Sequence, residues 1–423
     1  MGDNLVFPGG LGSVQTGIND RGHPLDYKPA RQENLQTGAD EKFYSPFTTS
    51  NNNSHIKVLI PAEETNFIQL DETQLYLQLK FVELDGTTQT PKKPESSTDF
   101  SVVDLLGHSL FSDIVVKLNN VEVCKQESKA AAFKAFLEAN LSFNRTFKQT
   151  LMKTWGGYGV ENETAELHRH SKPTGTDAAK KSYSLRAAKP ISGDSFHIQI
   201  PIFHDLFQSK KFLPPGISIS IEFTRMPEGF FLMCSDATMP KIKCIIEELE
   251  VCIIFYISQA IIEHISFQVS VKTCSTTPDH VDDHNAQVLS ANPFFIPFVE
   301  SNLTFLSIPK KTVVKIAQVV NDIMPFTLIA GFVPDSAIAC SSEVNPYVFE
   351  RNHLDKIEWL LNGKPIAVRS MDISKDKGLR AYNQFMKQLT LSNPVNTVYI
   401  PFEDFMAKYF LLSIDFTGDA CSG

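Results

Sequence analysis

Ile114-Val115-Val116-Lys117-Leu118-Asn119-Asn120-Val121-Glu122-Val123 reads as strand, turn, strand. Asn-Asn tolerates the positive φ that a two-residue primed hairpin turn demands. The pattern returns as Lys356-Ile357-Glu358-Trp359-Leu360-Leu361-Asn362-Gly363-Lys364-Pro365-Ile366-Ala367-Val368. The expected turn residues are therefore Asn119, Asn120, Asn362 and Gly363. Each hairpin precedes an aromatic-bearing helical patch, Ala132-Phe133-Lys134-Ala135-Phe136-Leu137 and then Ala381-Tyr382-Asn383-Gln384-Phe385-Met386. Two elements repeated in one order suggest one domain present twice. Two unrelated hairpins are the plainer alternative, since Asn-Gly turns are common.

The bulk of the chain fits that scheme. Its 423 residues, 42% hydrophobic, suffice for two domains of about 200 residues with a core each. Phenylalanine outnumbers methionine 32 to 9, and aromatic residues suit pleated, half-buried surfaces. The net charge is −9. Only Arg21, Lys28, Arg31 and Lys42 are basic in the first 45 residues, against six acidic side chains. That excludes a cationic arm for phosphates, and no direct sequence-specific nucleic-acid binding is expected. The seven cysteines include no CxxC pair, and several sit in apolar strand patterns as buried free thiols do. With no signal peptide at the N-terminus, a reducing compartment is expected. The longest apolar run, Val251 to Ile257, is too short for a transmembrane segment.

Residues 1–45 show neither period and read as an extended arm. A first unit covers 46–260. Leu75, Leu77, Leu79 and Phe81 alternate there with Tyr76, Gln78 and Lys80. Ile217, Ile219, Ile221 and Phe223 alternate with Ser218, Ser220 and Glu222, which should face out. Residues 147–195, rich in Gly, Ser, Thr and Lys, read as a long projecting loop. A second unit covers 261–423, opening on Ile265, Phe267, Val269 and Val271 and including strands at 327–332, 398–401 and 411–416. Many short strands with two or three helical patches point to an all-β chain of sandwiches or jelly rolls.

Several motifs recur in a familiar order. They are Asn66-Phe67-Ile68-Gln69-Leu70, Leu105-Leu106-Gly107-His108-Ser109-Leu110-Phe111-Ser112-Asp113 before the first hairpin, and Ala135-Phe136-Leu137-Glu138 after it. Ile200-Pro201-Ile202-Phe203-His204-Asp205-Leu206-Phe207 and Phe212-Leu213-Pro214-Pro215-Gly216 follow. Gly331-Phe332-Val333-Pro334-Asp335 and Asn345-Pro346-Tyr347-Val348-Phe349 then lead into the second hairpin. Their order and spacing, over roughly 55–423, resemble the double jelly-roll major capsid proteins of Maverick/Polinton elements and their adintovirus-like relatives. The resemblance implies two antiparallel eight-stranded sandwiches in tandem. Three chains would form a pseudo-hexameric, hexon-like capsomer that tiles an icosahedral shell, with a minor or penton capsid protein as a further partner. The 147–195 loop would rise as a tower. The chain would reside in the virion, and in the host cytoplasm or nucleus during assembly. Family members carry further strands beyond Ile414-Asp415-Phe416, so the second roll is expected to be short of its last strands.

No enzyme is expected, and no cofactor. His280 and His284, with Cys274 nearby, have zinc-ligand spacing. Yet Pro278 and three aspartates make the stretch a loop, and no glutamate of an HExxH pattern stands between the histidines. A solvated loop is the plainer reading; a zinc hydrolase is the alternative. His168-Arg169-His170 falls in the projecting loop. His204-Asp205 could act as a base pair only if the segment turns, because strand neighbours point to opposite faces. Glu63-Glu64 and Glu247-Glu248-Glu250 read as solvent-facing carboxylates. Cys124 and Cys340 lack a catalytic neighbourhood. Trp359, alternating with Ile357 and Leu361, reads as core, although an exposed indole would suit a carbohydrate- or protein-binding sandwich.

Overall fold

The computed structural model describes residues 39–47, 54–63, 66–85, 90–95, 99–124, 129–157, 177–235, 238–256, 299–309, 311, 313–316, 319, 325–361, 363–365, 371–392 and 398–416. The first half is an antiparallel β-sandwich. Its strands are β1 (Ala39–Tyr44), β2 (His55–Ile60), β3 (Phe67–Leu84), β4 (Pro91–Lys92), β5 (Phe100–Val102), β6 (Phe111–Leu118), β7 (Val121–Val123), β8 (Phe196–Pro201), β9 (Phe212–Leu213), β10 (Ile219–Arg225), β11 (Leu232–Cys234) and β12 (Ile242–Tyr256). One sheet runs β1-β12-β3, and the far edge of β3 takes β9, β8 and β4 in turn along its 18 residues. The second runs β2-β10-β6-β7, and β5 pairs with β11 as a separate two-stranded sheet. Every pairing is antiparallel, and most neighbours in a sheet are distant in sequence, the β6–β7 and β3–β4 pairs excepted.

The period-two alternation explains the layering. Leu75, Leu77, Leu79 and Phe81 are buried while Tyr76, Gln78 and Lys80 are half-buried. Ile219, Ile221 and Phe223 are wholly buried from the opposing sheet, and both inward rows belong to one hydrophobic core. A β-bulge between Ile246 and Glu248 lets adjacent glutamates interrupt β12 without turning Leu249 outward. Ser220 is the exception to the expected alternation. It is 3% exposed, set in the central strand between Leu59 and Lys117 in register.

The first hairpin forms as expected. Leu118 pairs with Val121, and Asn119 and Asn120 take φ of 47° and 67°. Asn119 also accepts from the Ser218 N–H at 2.9 Å, tying the turn to the chain entering β10.

Two expectations about the first half need correction. The arm does not run to residue 45: Ala39–Tyr44 is β1, in full register with Val251–Tyr256. The first strand of the half thus pairs with its last. Nor is 147–195 one loop. Helices α3 (Arg145–Gln149), α4 (Leu151–Thr154) and α5 (Asp177–Ser192) bracket residues 158–176, which lie outside the described residues, as do His168 and His170. Met152, Trp155, Tyr183 and Ala187 are buried, so apolar side chains dispersed among polar ones bind these helices to the sandwich.

The described second half has three two-stranded antiparallel pairs. They are β13 (Thr327–Gly331) with β18 (Leu411–Asp415), β14 (Lys356–Ile357) with β17 (Met371–Asp372), and β15 (Leu360–Leu361) with β16 (Lys364–Pro365). Gly363 sits at φ 79° between β15 and β16; Asn362 lies outside the described residues. The helix Leu379–Ser392 follows the second hairpin as α2 (Ala130–Ser142) follows the first. Residues 356–361 are not one strand: β14 and β15 take different partners, Trp359 is half-buried against the core, and Leu361 is 42% exposed. Val398–Pro401, expected as a strand, forms a single bridge from Val398 to Asn144. The stretches with Ile265–Val271, Cys274, His280 and His284 lie outside the described residues.

Candidate functional site

Helix α2 is buried along most of its length, with charged Lys134 and Glu138 buried along with Phe133 and Phe136. An amphipathic surface helix would bury one stripe. Burial on several sides follows from its place between the first sandwich and the second half.

Its aromatic residues form the seam. The Phe136 ring stacks on Tyr347 with centroids 4.1 Å apart and planes 1° from parallel. Phe349 and Tyr409 stand 6.3 and 6.1 Å away. Phe133 meets Phe230, Phe305 and Tyr347 edge-on. Polar ties finish the joint. Tyr347 OH and Ser109 Oγ are 2.6 Å apart. Tyr409 OH donates to Asn140 Oδ1 at 3.2 Å, Lys129 Nζ to the Ile338 carbonyl at 2.8 Å, and Cys234 N–H to the Ser342 carbonyl at 3.1 Å. A Cβ on Gly229 would run into the Cys340 carbonyl. The Asn345–Phe349 motif and the segment after the first hairpin therefore meet each other.

The other half of that joint is α1 (Leu106–Ser109), entered through Leu105 at φ 53°. A Cβ at Gly107 would fall 2.9 Å from Ile200 Cγ2, so glycine permits α1 to lie on β8. His108 Nε2 donates to the Pro201 carbonyl at 3.0 Å, and its ring lies against Trp155 and Phe203. Burial pulls the His108 imidazole down to about 4, against the opposing effect of that hydrogen bond. His204 is also pulled down to about 4, first by burial and then by Lys134. Both are neutral when folded. Their ordinary value is about 6.5, so the stability they confer is present above that pH and is lost as pH falls toward about 4. Imidazole ¹⁵N shifts should show both rings neutral until pH approaches about 4; a midpoint near 6.5 for either contradicts the burial assigned here.

The carboxylate and histidine candidates are not brought together as catalytic pairs. His204 caps a short 3₁₀ turn, accepting from Leu206 N–H at 3.3 Å, while Asp205 pairs with Lys134. The segment does turn, but the two side chains serve different partners. Glu63 pairs with Lys42; Glu64 lies outside the described residues. Glu247 accepts from Gln78 at 3.0 Å, and Glu250 from Ser45 at 3.0 Å. Cys234, Cys244 and Cys252 are buried free thiols, Cys124 and Cys340 half-buried ones. Burial pushes Cys124, Cys244 and Cys252 up to about 12, far from the thiolate a nucleophile needs. Among the described residues no three His, Cys, Asp or Glu side chains are grouped to hold a metal ion, and no helix is long and apolar enough to cross a membrane.

Several large apolar side chains are exposed. Phe43 and Phe47 are 51% and 71% exposed beside β1. In the second half Leu306, Ile308, Val313, Ile316, Phe326 and Leu360 are also exposed. Contiguous exposed apolar patches mark interaction surfaces. The seam and these exposed apolar side chains are what the geometry offers for function: a joint that fixes two halves, and apolar groups that another surface can cover.

No protein-family model matches the chain, and no curated protein does. Among solved structures it is similar to the Sputnik virophage structure, at 8% identity and a TM-score of 0.39 over 57% of this chain and 52% of that one. The Faustovirus major capsid protein gives 11% and 0.32, over 55% and 56%. The mavirus major capsid protein gives 10% and 0.29, over 62% and 55%. The chain thus spans about half the length of each, and at TM-scores under 0.5 these likenesses carry no weight beside the chain's own antiparallel β-sandwich.

Proposed function

We propose that the chain is a structural shell subunit, a double jelly-roll major capsid protein of the Maverick/Polinton kind, and not an enzyme. The observation that carries this reading is the hairpin followed by an aromatic helix, present once in each half and in the order of the motifs quoted above. In the first copy Asn119 and Asn120 take the positive φ the turn requires, and Phe133 and Phe136 of α2 are buried. In the second, Gly363 takes positive φ, and Ala381 and Phe385 of the following helix are buried. Two similar units per chain, taken three times about a closed axis, give six similar corners. That is a tile for an icosahedral lattice.

The mechanism is self-assembly. Exposed apolar sides would drive three copies together, as obligate interfaces are large and apolar, and polar edges would join trimers into a shell. A minor or penton protein would close the vertices. The negative balance of the chain leaves the genome to another component. The location that follows is the virion, and the interior of the host cell during assembly. The test is the mass of the purified chain in solution, where three copies are expected.

A further inference from the structure

One group of charged side chains is buried without matching its charges. Lys134, Glu138, Asp205 and His204 are each at most 4% exposed. Lys134 Nζ pairs with Asp205 and lies 4.0 Å from Glu138 Oε1. It also donates to the Ser301 carbonyl at 3.2 Å, and the Ser301 N–H donates to Asp205 Oδ2 at 3.1 Å. Gln208 Nε2 donates to Glu138 Oε2, whereas Glu138 Oε1 has no hydrogen-bond partner. Two carboxyl groups therefore face one ammonium, and that ammonium is committed to Asp205. An excess buried charge is costly unless the group becomes neutral.

The charged groups that face this cluster come from four stretches. Helix α2 supplies Lys134 and Glu138. The turn at 204–208 supplies His204 and Asp205. Cys124 follows β7, and Glu300 precedes Ser301. Ser301 belongs to segment 299–305 of the second half, which crosses α2 where Phe305 packs edge-on against Phe133 at 5.4 Å. The cluster thus fastens a second-half segment to a first-half helix through both backbone groups of one residue.

We propose that Lys134, Asp205 and Glu138 form a proton-operated clasp: with Glu138 neutral the clasp holds segment 299–305 on α2, and ionisation of Glu138 loosens it. An ionised Glu138 competes with Asp205 for Lys134 and so weakens the grip on Ser301. Burial is the main force keeping the Glu138 proton on, up to about 7; Asp205 adds to it and Lys134 opposes it. A solvated glutamic acid lets go near 4.5. The added hold is therefore complete below about 4.5, is lost as pH rises to about 7, and changes little beyond. In the closed state His204 stays neutral down to about 4, so any exposure of its ring on opening raises protection as pH rises, the opposite sense to Glu138.

The test is amide hydrogen exchange of peptides covering 299–305 in the full chain, at pH 5.0 and 7.5, corrected for the intrinsic pH dependence of exchange. Relative to Glu138→Gln and Glu138→Leu, two variants that remove the titrating carboxyl with different packing, wild-type protection should fall by about ten-fold or more across that interval. In the variants protection should not fall as pH rises. Wild-type protection that follows the variants across the interval, or variants that lose protection as pH rises, would overturn the clasp. The readout concerns one chain whatever its oligomeric state, so it stands or falls apart from the shell reading.

Discussion

Asp205→Ala will lower the free energy of unfolding by about 3–5 kcal/mol, the cost of leaving one member of a buried pair uncompensated. Lys134 is 4% exposed and cannot turn to water without disturbing α2. Its only other carboxylate, among the described residues, is Glu138 at 4.0 Å. Adding Lys134→Met to Asp205→Ala should recover the larger part of the loss, because the orphaned charge is gone. Recovery will be incomplete, since the Ser301 N–H has lost its acceptor. Urea unfolding of the two variants against the wild type measures both steps. A loss under about 1 kcal/mol for Asp205→Ala, in the range of an exposed pair, would mean the site is wet.

Phe136→Ala is the second large effect, about 3–5 kcal/mol from the buried ring and the space it leaves. Part of that, about 0.5–1.5 kcal/mol, belongs to the ring geometry with Tyr347. The location of the damage is the sharper forecast. Phe136 belongs to the first half, whereas Tyr347, Phe349 and Tyr409 belong to the second. The variant should keep the first sandwich and loosen the second half. Limited proteolysis should then cut within 335–416 before the strands of 55–256. Equal susceptibility of both halves would show that α2 is an ordinary core helix and not the joint between them.

Much of the first sandwich was legible in the sequence because alternation is a local signal. Leu75 to Phe81 and Ile219 to Phe223 declare their buried face residue by residue, and Asn119-Asn120 declares the turn. Strand β1 was not legible: Ala-Asp-Glu-Lys-Phe-Tyr has no apolar alternation, and it is a strand because Val251–Tyr256 offers it a register. The helices flanking 158–176 leave no periodic signal for a related reason. They are held by scattered residues such as Trp155 and Tyr183, whose burial comes from tertiary packing and not from a periodic stripe. Trp359 packs against the core although the break between β14 and β15 interrupts its alternation with Ile357 and Leu361.

The seam was half legible. Tyr347 and Phe136 both lie in motifs that stand out in the sequence, yet nothing local says that the two meet. The buried cluster was less legible still. His204 and Asp205 stand side by side in sequence, whereas Asp205 serves Lys134, 71 residues away in the chain. A charge inside an apolar helical patch, as in Ala132-Phe133-Lys134-Ala135-Phe136, was the available clue. A lysine placed there needs a buried partner.

The proposed shell subunit closes on itself in threes. Light scattering from the purified 423-residue chain at micromolar concentration should therefore find a stable species of three times 47.3 kDa. A well-folded monomer at that concentration would contradict it.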